Sequence, residues 1–209
     1  LVHAIFVSKP DLARLSAPRD VLGFCPFSQA QFSFPANIFT WLEAGLDFVV
    51  GTDCGACNDT MNVQQELRLI AAMPGFAGTW SPEQSQFATT GRLEDAQRLQ
   101  AKRVETYDAT SSSLTVEKLL DLLWGVPADL HPQLPVGQIA PGKLANLIVW
   151  DLECPSTWPA LAPLRTLAMS DVTDAISQVM INGQWHGERG HFAASIQETD
   201  TYRDAAAEA

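Results

Sequence analysis

The sequence predicts an α/β fold built on parallel strands, followed by a smaller region of β-structure. Three observations carry this. Over residues 1–73, short apolar runs alternate with amphipathic helical segments through short connections, the pattern of parallel βα units. The run Leu46–Gly51 is almost continuously apolar, as expected of a strand covered on both faces. From Val136 onward the punctuation changes to Pro-Gly and Asn-Gly turns between strand-like runs, and Asn-Gly is a strong hairpin signal.

Taken in order, Val2–Val7 reads as the first strand. Ser8-Lys9-Pro10-Asp11 then starts a helix, with Ser8 as N-cap, Pro10 in the first turn and Asp11 at the capping-box position. Val21–Cys25 is a second strand, stopped by Pro26. Pro35 opens a helix carrying Ile38, Phe39, Leu42 and Glu43, and Gly45 closes it. Leu46–Gly51 is the third strand, and Asn58–Met73 a helix whose Val63, Leu67, Ile70 and Ala71 recur at helical spacing. Pro74–Gly91 reads as a polar loop, Leu93–Tyr107 as a charged helix with a solvated or oligomer-contact face, and Thr115–Trp124 as a helix with a wide leucine face. Gly137–Ile139 and Leu147–Trp150 are strand signals around the turn Pro141-Gly142-Lys143. Ala175–Ile181 and Gln184–His186 flank Asn182-Gly183, and the acidic, Ala-rich tail after Ile196 is expected to fray. Trp41, Trp124, Trp150 and Trp158 lie in apolar settings that suit core or interface packing. Three βα units are too few to close a barrel, which takes about 250 residues.

Composition narrows the function classes. With 209 residues, 46% hydrophobic and 18% charged, the chain is long enough to bury a core. Its 13 basic residues are scattered among 24 acidic ones, for a net charge of -11, so neither nucleic acid nor an anionic membrane surface is an expected partner. No apolar run approaches the roughly 18 residues of a spanning helix, and no basic n-region opens the chain, so the expected compartment is cytoplasmic. The first residue is not Met, from which the chain is expected to begin partway through a gene product. Four cysteines are too few for a disulfide scaffold.

The sharpest chemical motif is Val49-Val50-Gly51-Thr52-Asp53, an apolar strand ending in a carboxylate. At the C-terminal end of a parallel barrel strand, such a carboxylate sits where active sites form. It can bind a metal, move a proton, or cap the following helix. Cys54-Gly55-Ala56-Cys57 has the spacing of a redox pair or half a zinc knuckle. Cys25 and Cys154 stand alone and supply no second pair, so these cysteines are expected to be incidental to an active-site loop.

The order and spacing of several segments carry a resemblance. Phe24-Cys25-Pro26-Phe27-Ser28-Gln29 resembles a Cys-Pro-x-Ser-Asn segment. Leu42-Glu43-Ala44-Gly45, Gly51-Thr52-Asp53 and Glu66-Leu67-Arg68 follow in sequence, and Val2-His3-Ala4 precedes them. Gly137 to Val149 is similar to a Gly-x-Ile-x-x-Gly-Lys-x-Ala-Asp-Leu-x-Val signature, and Ile181-Asn182-Gly183 to a Val-Asp/Asn-Gly hairpin. Together, over most of residues 1–187, they resemble the C-terminal portion of the amidohydrolase superfamily, in its cytosine deaminase and triazine hydrolase (chlorohydrolase) branch.

The resemblance implies about three βα units, the sixth to eighth, of a metal-dependent (β/α)8 TIM barrel, then C-terminal strands of a small composite β-sandwich. The implied limits are 1–134 for the partial barrel, 135–195 for the sandwich strands and 196–209 for the tail. It implies that Asp53 is a metal ligand and proton-transfer carboxylate, and that His3 contacts substrate or the metal's water. The implied cofactor is a divalent metal, Zn or Fe. The implied reaction is hydrolysis of a C–N bond, or removal of a similar leaving group, on a small ring substrate such as an aminopurine, pyrimidine or triazine. Departures are clear. The family's His-x-His pair and strand-five His are absent, and the other histidines, His131, His186 and His191, fall outside the barrel-like region. Gln29 stands for Asn, Asn146 for Asp, and Cys54 for Gly. A catalytic metal usually has about three protein ligands, so a missing N-terminal half or complementing chain is an expected partner, with a homodimer also possible. The isolated chain is expected to be inactive. The alternatives are an inactive fragment or scaffold subunit, another hydrolase of the superfamily, or a cysteine-based redox protein.

Overall fold

The computed structural model describes residues 1–17, 19–32, 35–76, 81–189 and 200–208. The chain is mixed α/β and divides into two compact units, Leu1–Leu130 and His131–Ala209.

In the first unit, β1 (Leu22–Phe24) and β2 (Phe48–Val50) pair in parallel, with Leu22 opposite Phe48 and Phe24 opposite Val50. Val2 bridges Gly23 in parallel, through the Gly23 amide to the Leu1 carbonyl (2.7 Å) and the His3 amide to the Gly23 carbonyl (2.9 Å). The strand expected over Val2–Val7 is therefore reduced to one bridge. The reason is local: His3 and Ala4 have φ of 67° and 42°, which turns the chain off the sheet. Gly23 suits this approach, since a Cβ there would lie a tight 3.3 Å from the Val2 backbone.

The helices follow their caps. α1 (Lys9–Leu12) begins with the expected capping box, the Ser8 amide donating to Asp11 Oδ2 at 3.0 Å. α2 (Pro26–Phe32) was not expected; Pro26 serves as the first residue of a helix rather than only as the end of a strand. α3 (Ile38–Glu43) starts three residues after Pro35, and Gly45, at φ 72°, ends it. The helix expected over Asn58–Met73 starts later, as α5 (Val63–Phe76); Asn58 instead ends a separate short helix, α4 (Gly55–Asn58), after which Asp59 turns left-handed at φ 51°. The expected loop 74–91 contains α6 (Pro82–Thr90), with residues 77–80 outside the described set. Its signals are ordinary: Ser81 Oγ accepts from the Gln84 amide, Pro82 opens the first turn and Gly91 closes it at φ 60°. α7 spans Leu93–Ser111, and α8 spans Val116–Asp129 behind a Thr115 cap.

The core beneath β1 and β2 is aromatic. Phe24, Trp41 and Phe48 are buried and meet edge to face, with ring centroids 5.8 to 6.1 Å apart. Leu22, Ile38, Leu67, Ile70 and Leu122 are buried in the same unit. β1 is buried throughout, while β2 is buried at Phe48 and half-buried at Val49 and Val50.

The second unit holds a three-stranded antiparallel sheet of β3 (Leu147–Trp150), β4 (Ile176–Ile181) and β5 (Gln184–Glu188), in that order. Asn182 and Gly183 turn between β4 and β5 with φ of 50° and 79°, both positive as the predicted hairpin requires. The Asn182 amide donates to Asn146 Oδ1 at 2.7 Å, so the residue standing where the signature has Asp holds this turn. Gly137–Ile139, expected to be a strand, is irregular, and Ile139 is exposed. With no apolar partner over Ile139, the short run gains nothing from extending. Helix α9 (Pro163–Met169) was not foreseen, and Trp158 is exposed rather than packed. Cys154, Val172 and Ala175 form a small core with Trp150 and Leu167. Residues 200–208 of the expected frayed tail form α10 (Asp200–Glu208); residues 190–199 and 209 lie outside the described set, and with them His191 and the expected domain limit at 195. No helix among the described residues is long and apolar enough to cross a membrane.

Candidate active site

Asp53 follows β2 by three residues, beyond the C-terminal end of that strand. The parallel register brings the end of β1 alongside, and the Val2–Gly23 bridge brings His3 to the same end. The two residues singled out by sequence therefore meet: His3 Nε2 is 3.6 Å from Asp53 Oδ2, both side chains partly exposed. Both backbones are left-handed, with φ of 67° at His3 and 65° at Asp53.

The carboxylate is held on both oxygens. Ser28 Oγ donates to Oδ2 at 2.7 Å, and the Cys54 amide donates to Oδ1 at 2.9 Å. The Ser28 hydroxyl, with smaller help from the Cys54 amide and His3, keeps the Asp53 carboxyl below the usual aspartate range, against the opposing effect of burial. An ionised carboxylate at neutral pH is what a divalent cation needs as a ligand.

Two buried braces set this geometry. Gln29 Nε2 donates to the His3 carbonyl at 3.0 Å, while Gln29 Oε1 accepts from the Ala36 amide at 2.8 Å. The Gln that departs from the Ser-Asn motif thus fixes the His3 backbone. Glu66 accepts from the Phe27 amide (2.9 Å) and from Asn58 Nδ2 (2.7 Å), and the same Asn58 amide donates to the Thr52 carbonyl (2.8 Å). This chain of bonds runs from α2 through α5 and α4 to the residue before Asp53. Ser28, Gln29, Asn58 and Glu66 were not assigned roles from sequence; all but Asn58 sit in motifs quoted there, and their shared burial is what distinguishes them. Arg68, the third residue of the Glu-x-Arg motif, is exposed.

Among the described residues, one group of three or more His, Cys, Asp and Glu brings ligand atoms within 4.8 Å of one another: Asp53, Cys54 and Cys57. His131 and His186 belong to the second unit.

The cysteines differ sharply in environment. Cys25 is buried against Gly51, and burial, followed by the charge of Asp53, pushes its thiol upward; Cys54 is exposed. Because the thiolate is the nucleophile, iodoacetamide is expected to modify Cys54 well before Cys25 in the folded chain. Peptide mass spectrometry over a time course reads the order, and equal rates at the two sites would contradict this packing.

No family model matches the sequence, and no curated protein matches it. Solved structures do. An adenosine deaminase from Xanthomonas campestris with bound zinc superposes with a TM-score of 0.69 at 18% identity, over 100% of this chain and 42% of that one. An atrazine chlorohydrolase from Arthrobacter aurescens TC1 complexed with zinc gives 0.71 at 21%, over 99% and 39%. An aminofutalosine deaminase from Helicobacter pylori gives 0.56 at 19%, over 88% and 37%. The chain shares their fold. The chain spans about two fifths of the length of the first structures it matches.

Proposed function

We propose that this chain is the C-terminal part of a metal-dependent hydrolase or deaminase that acts on a non-peptide C–N bond, or a similar leaving group, of a small ring substrate. The aminopurines, pyrimidines and triazines are the classes in view. The observation that carries the reading is the Asp53 carboxylate beyond the end of a parallel strand, facing the His3 imidazole and held by Ser28. Support for the chemistry comes from the named activities of the structures that share the fold.

In this reading the first unit supplies the sixth to eighth βα units of a (β/α)8 barrel, and the antiparallel sheet belongs to a composite β-sandwich. Asp53 would hold a zinc or iron ion together with histidines from a preceding segment or a complementing chain. Such a metal, when bound, supplies Lewis acidity that makes water a nucleophile near neutral pH. Asp53 would hold a proton on its carboxylate, and His3 would donate or accept a hydrogen bond to orient the substrate. Ser28 and the Cys54 amide keep the carboxylate aimed while this happens. The enzyme so formed is placed in the cytoplasm, as a monomer or a homodimer.

A second reading is favoured by the ligand count: among the described residues, the group that includes Asp53 consists of Asp53, Cys54 and Cys57, with no histidine among them. In that reading the chain is a scaffold subunit without turnover. The test is the longer gene product, loaded with zinc and screened against aminopurines, cyclic amides and chlorotriazines, with ammonia or chloride release as readout. Release from one class, together with about one metal per site, supports the hydrolase. A metal-free protein inert towards all three supports the scaffold.

A further inference from the structure

We propose that Cys54, Cys57 and Asp53 form a thiolate site for a soft divalent cation, of the class of zinc or cadmium. The proposal shares Asp53 with the hydrolase reading but does not rest on it.

The sequence spacing makes the site possible and the local fold assembles it. Cys54 is the extended residue before α4, and Cys57 lies one turn further on, its amide donating to the Cys54 carbonyl at 3.0 Å. Residues three apart around a turn share a face, and here the two sulfurs are 2.7 Å apart. The Cys54 amide also binds Asp53 Oδ1 at 2.9 Å, which folds the carboxylate back over the same turn. The result is two sulfurs and a carboxylate oxygen mutually within 4.8 Å. Zinc bonds to sulfur at about 2.3 Å in a tetrahedron, which sets sulfurs about 3.8 Å apart. Coordination therefore opens the pair to that separation. Cys54 is exposed, and a Cβ built on Gly55 meets nothing within 4 Å, so the approach to the turn is open. The fourth position is left to water or to the neighbouring His3.

The donor set decides the class of cation. Two thiolates favour zinc, cadmium and cobalt over magnesium or calcium, which prefer oxygen. On coordination each thiol loses its proton to solvent, two sulfur–metal bonds form, and no electron is transferred. The site also gives Cys54 a function at a position where the family resemblance has glycine.

The test is cobalt titration of the full chain, metal-free and kept reduced with a phosphine. Cobalt alone is expected to produce a thiolate-to-cobalt charge-transfer band in the near ultraviolet, bleached by zinc or cadmium and untouched by magnesium. Cys54→Ser and Cys57→Ser should each weaken cobalt binding by at least about tenfold, the lower bound seen for groups that merely support a ligand. The double variant should lose the band with an unchanged circular dichroism spectrum. No band in the parent, or a band that survives in the double variant, overturns the site. On the unaltered chain, the cadmium-113 chemical shift gives an independent measurement: a value for two sulfur ligands supports the site, and an oxygen-only value overturns it. Turnover in the longer protein without a thiolate band would leave the hydrolase standing and remove this site; a band without turnover would do the reverse.

Discussion

Asp53→Asn is expected to lower kcat/KM of the longer, metal-loaded protein by about a thousandfold or more, within the range set by losing a group that moves protons in the transition state. The fold should survive. Asparagine keeps one oxygen for the Cys54 amide and presents an NH2 that can donate to Ser28 Oγ, so both contacts have replacement partners. What is lost is the negative charge facing His3 at 3.6 Å, and with it both the affinity for a cation and the capacity to hold a proton. The two effects separate by measurement: circular dichroism melts of parent and variant should nearly coincide while turnover disappears. The pH behaviour follows from the depressed carboxyl. Its folded value lies below its unfolded one, so the stabilisation from Ser28 and the Cys54 amide is fully present above the unfolded value and is lost as pH falls through the folded value. Activity retained by the variant at neutral pH would remove Asp53 from the mechanism.

Glu66→Ala is expected to be the most damaging polar substitution in the first unit, lowering stability by about 2–6 kcal/mol, because two buried donors are orphaned at about 1–3 kcal/mol each. Those donors are the Phe27 amide and the Asn58 side chain. Glu66 is 2% exposed, so water does not readily replace the lost acceptor. Glu66→Gln keeps one carbonyl oxygen and should show roughly half the loss. Urea titration followed by tryptophan fluorescence reads both, since Trp41 is buried in the core of the same unit. The functional corollary is that the Gln variant should also loosen Asp53, through Asn58 and the Thr52 carbonyl. Equal stability of parent and Ala variant would show that the chain of bonds is dispensable.

Much of the first unit could be read from the residues because its signals are local. The Ser8–Asp11 box, Gly45 and the apolar run before Gly51 act over a few residues, and each forms as its sequence indicates. The failures differ in origin. Val2–Val7 has strand composition, but the left-handed turn at His3 and Ala4 depends on the Gly23 bridge and the Gln29 brace, both more than twenty residues away. Gly and Pro in 74–91 read as loop markers, whereas Pro82 and Gly91 are the first and terminating residues of helix α6. At the site, Asp53 and His3 were visible through motif order, and the structure brings them together. Ser28, Asn58 and Glu66 were not, because their roles arise from hydrogen bonds across elements that no spacing rule encodes.

The conformations of His3 and Asp53 have an evolutionary corollary. At φ of 67° and 65°, a side chain crowds its own carbonyl, and glycine would occupy either position with less torsional penalty. Aspartate and histidine are among the residue types that tolerate this region better than most. Selection for durability alone would drift both positions toward glycine; a lineage that keeps an imidazole and a carboxylate there is retaining them for what their side chains meet, and accepts a less rugged backbone in return.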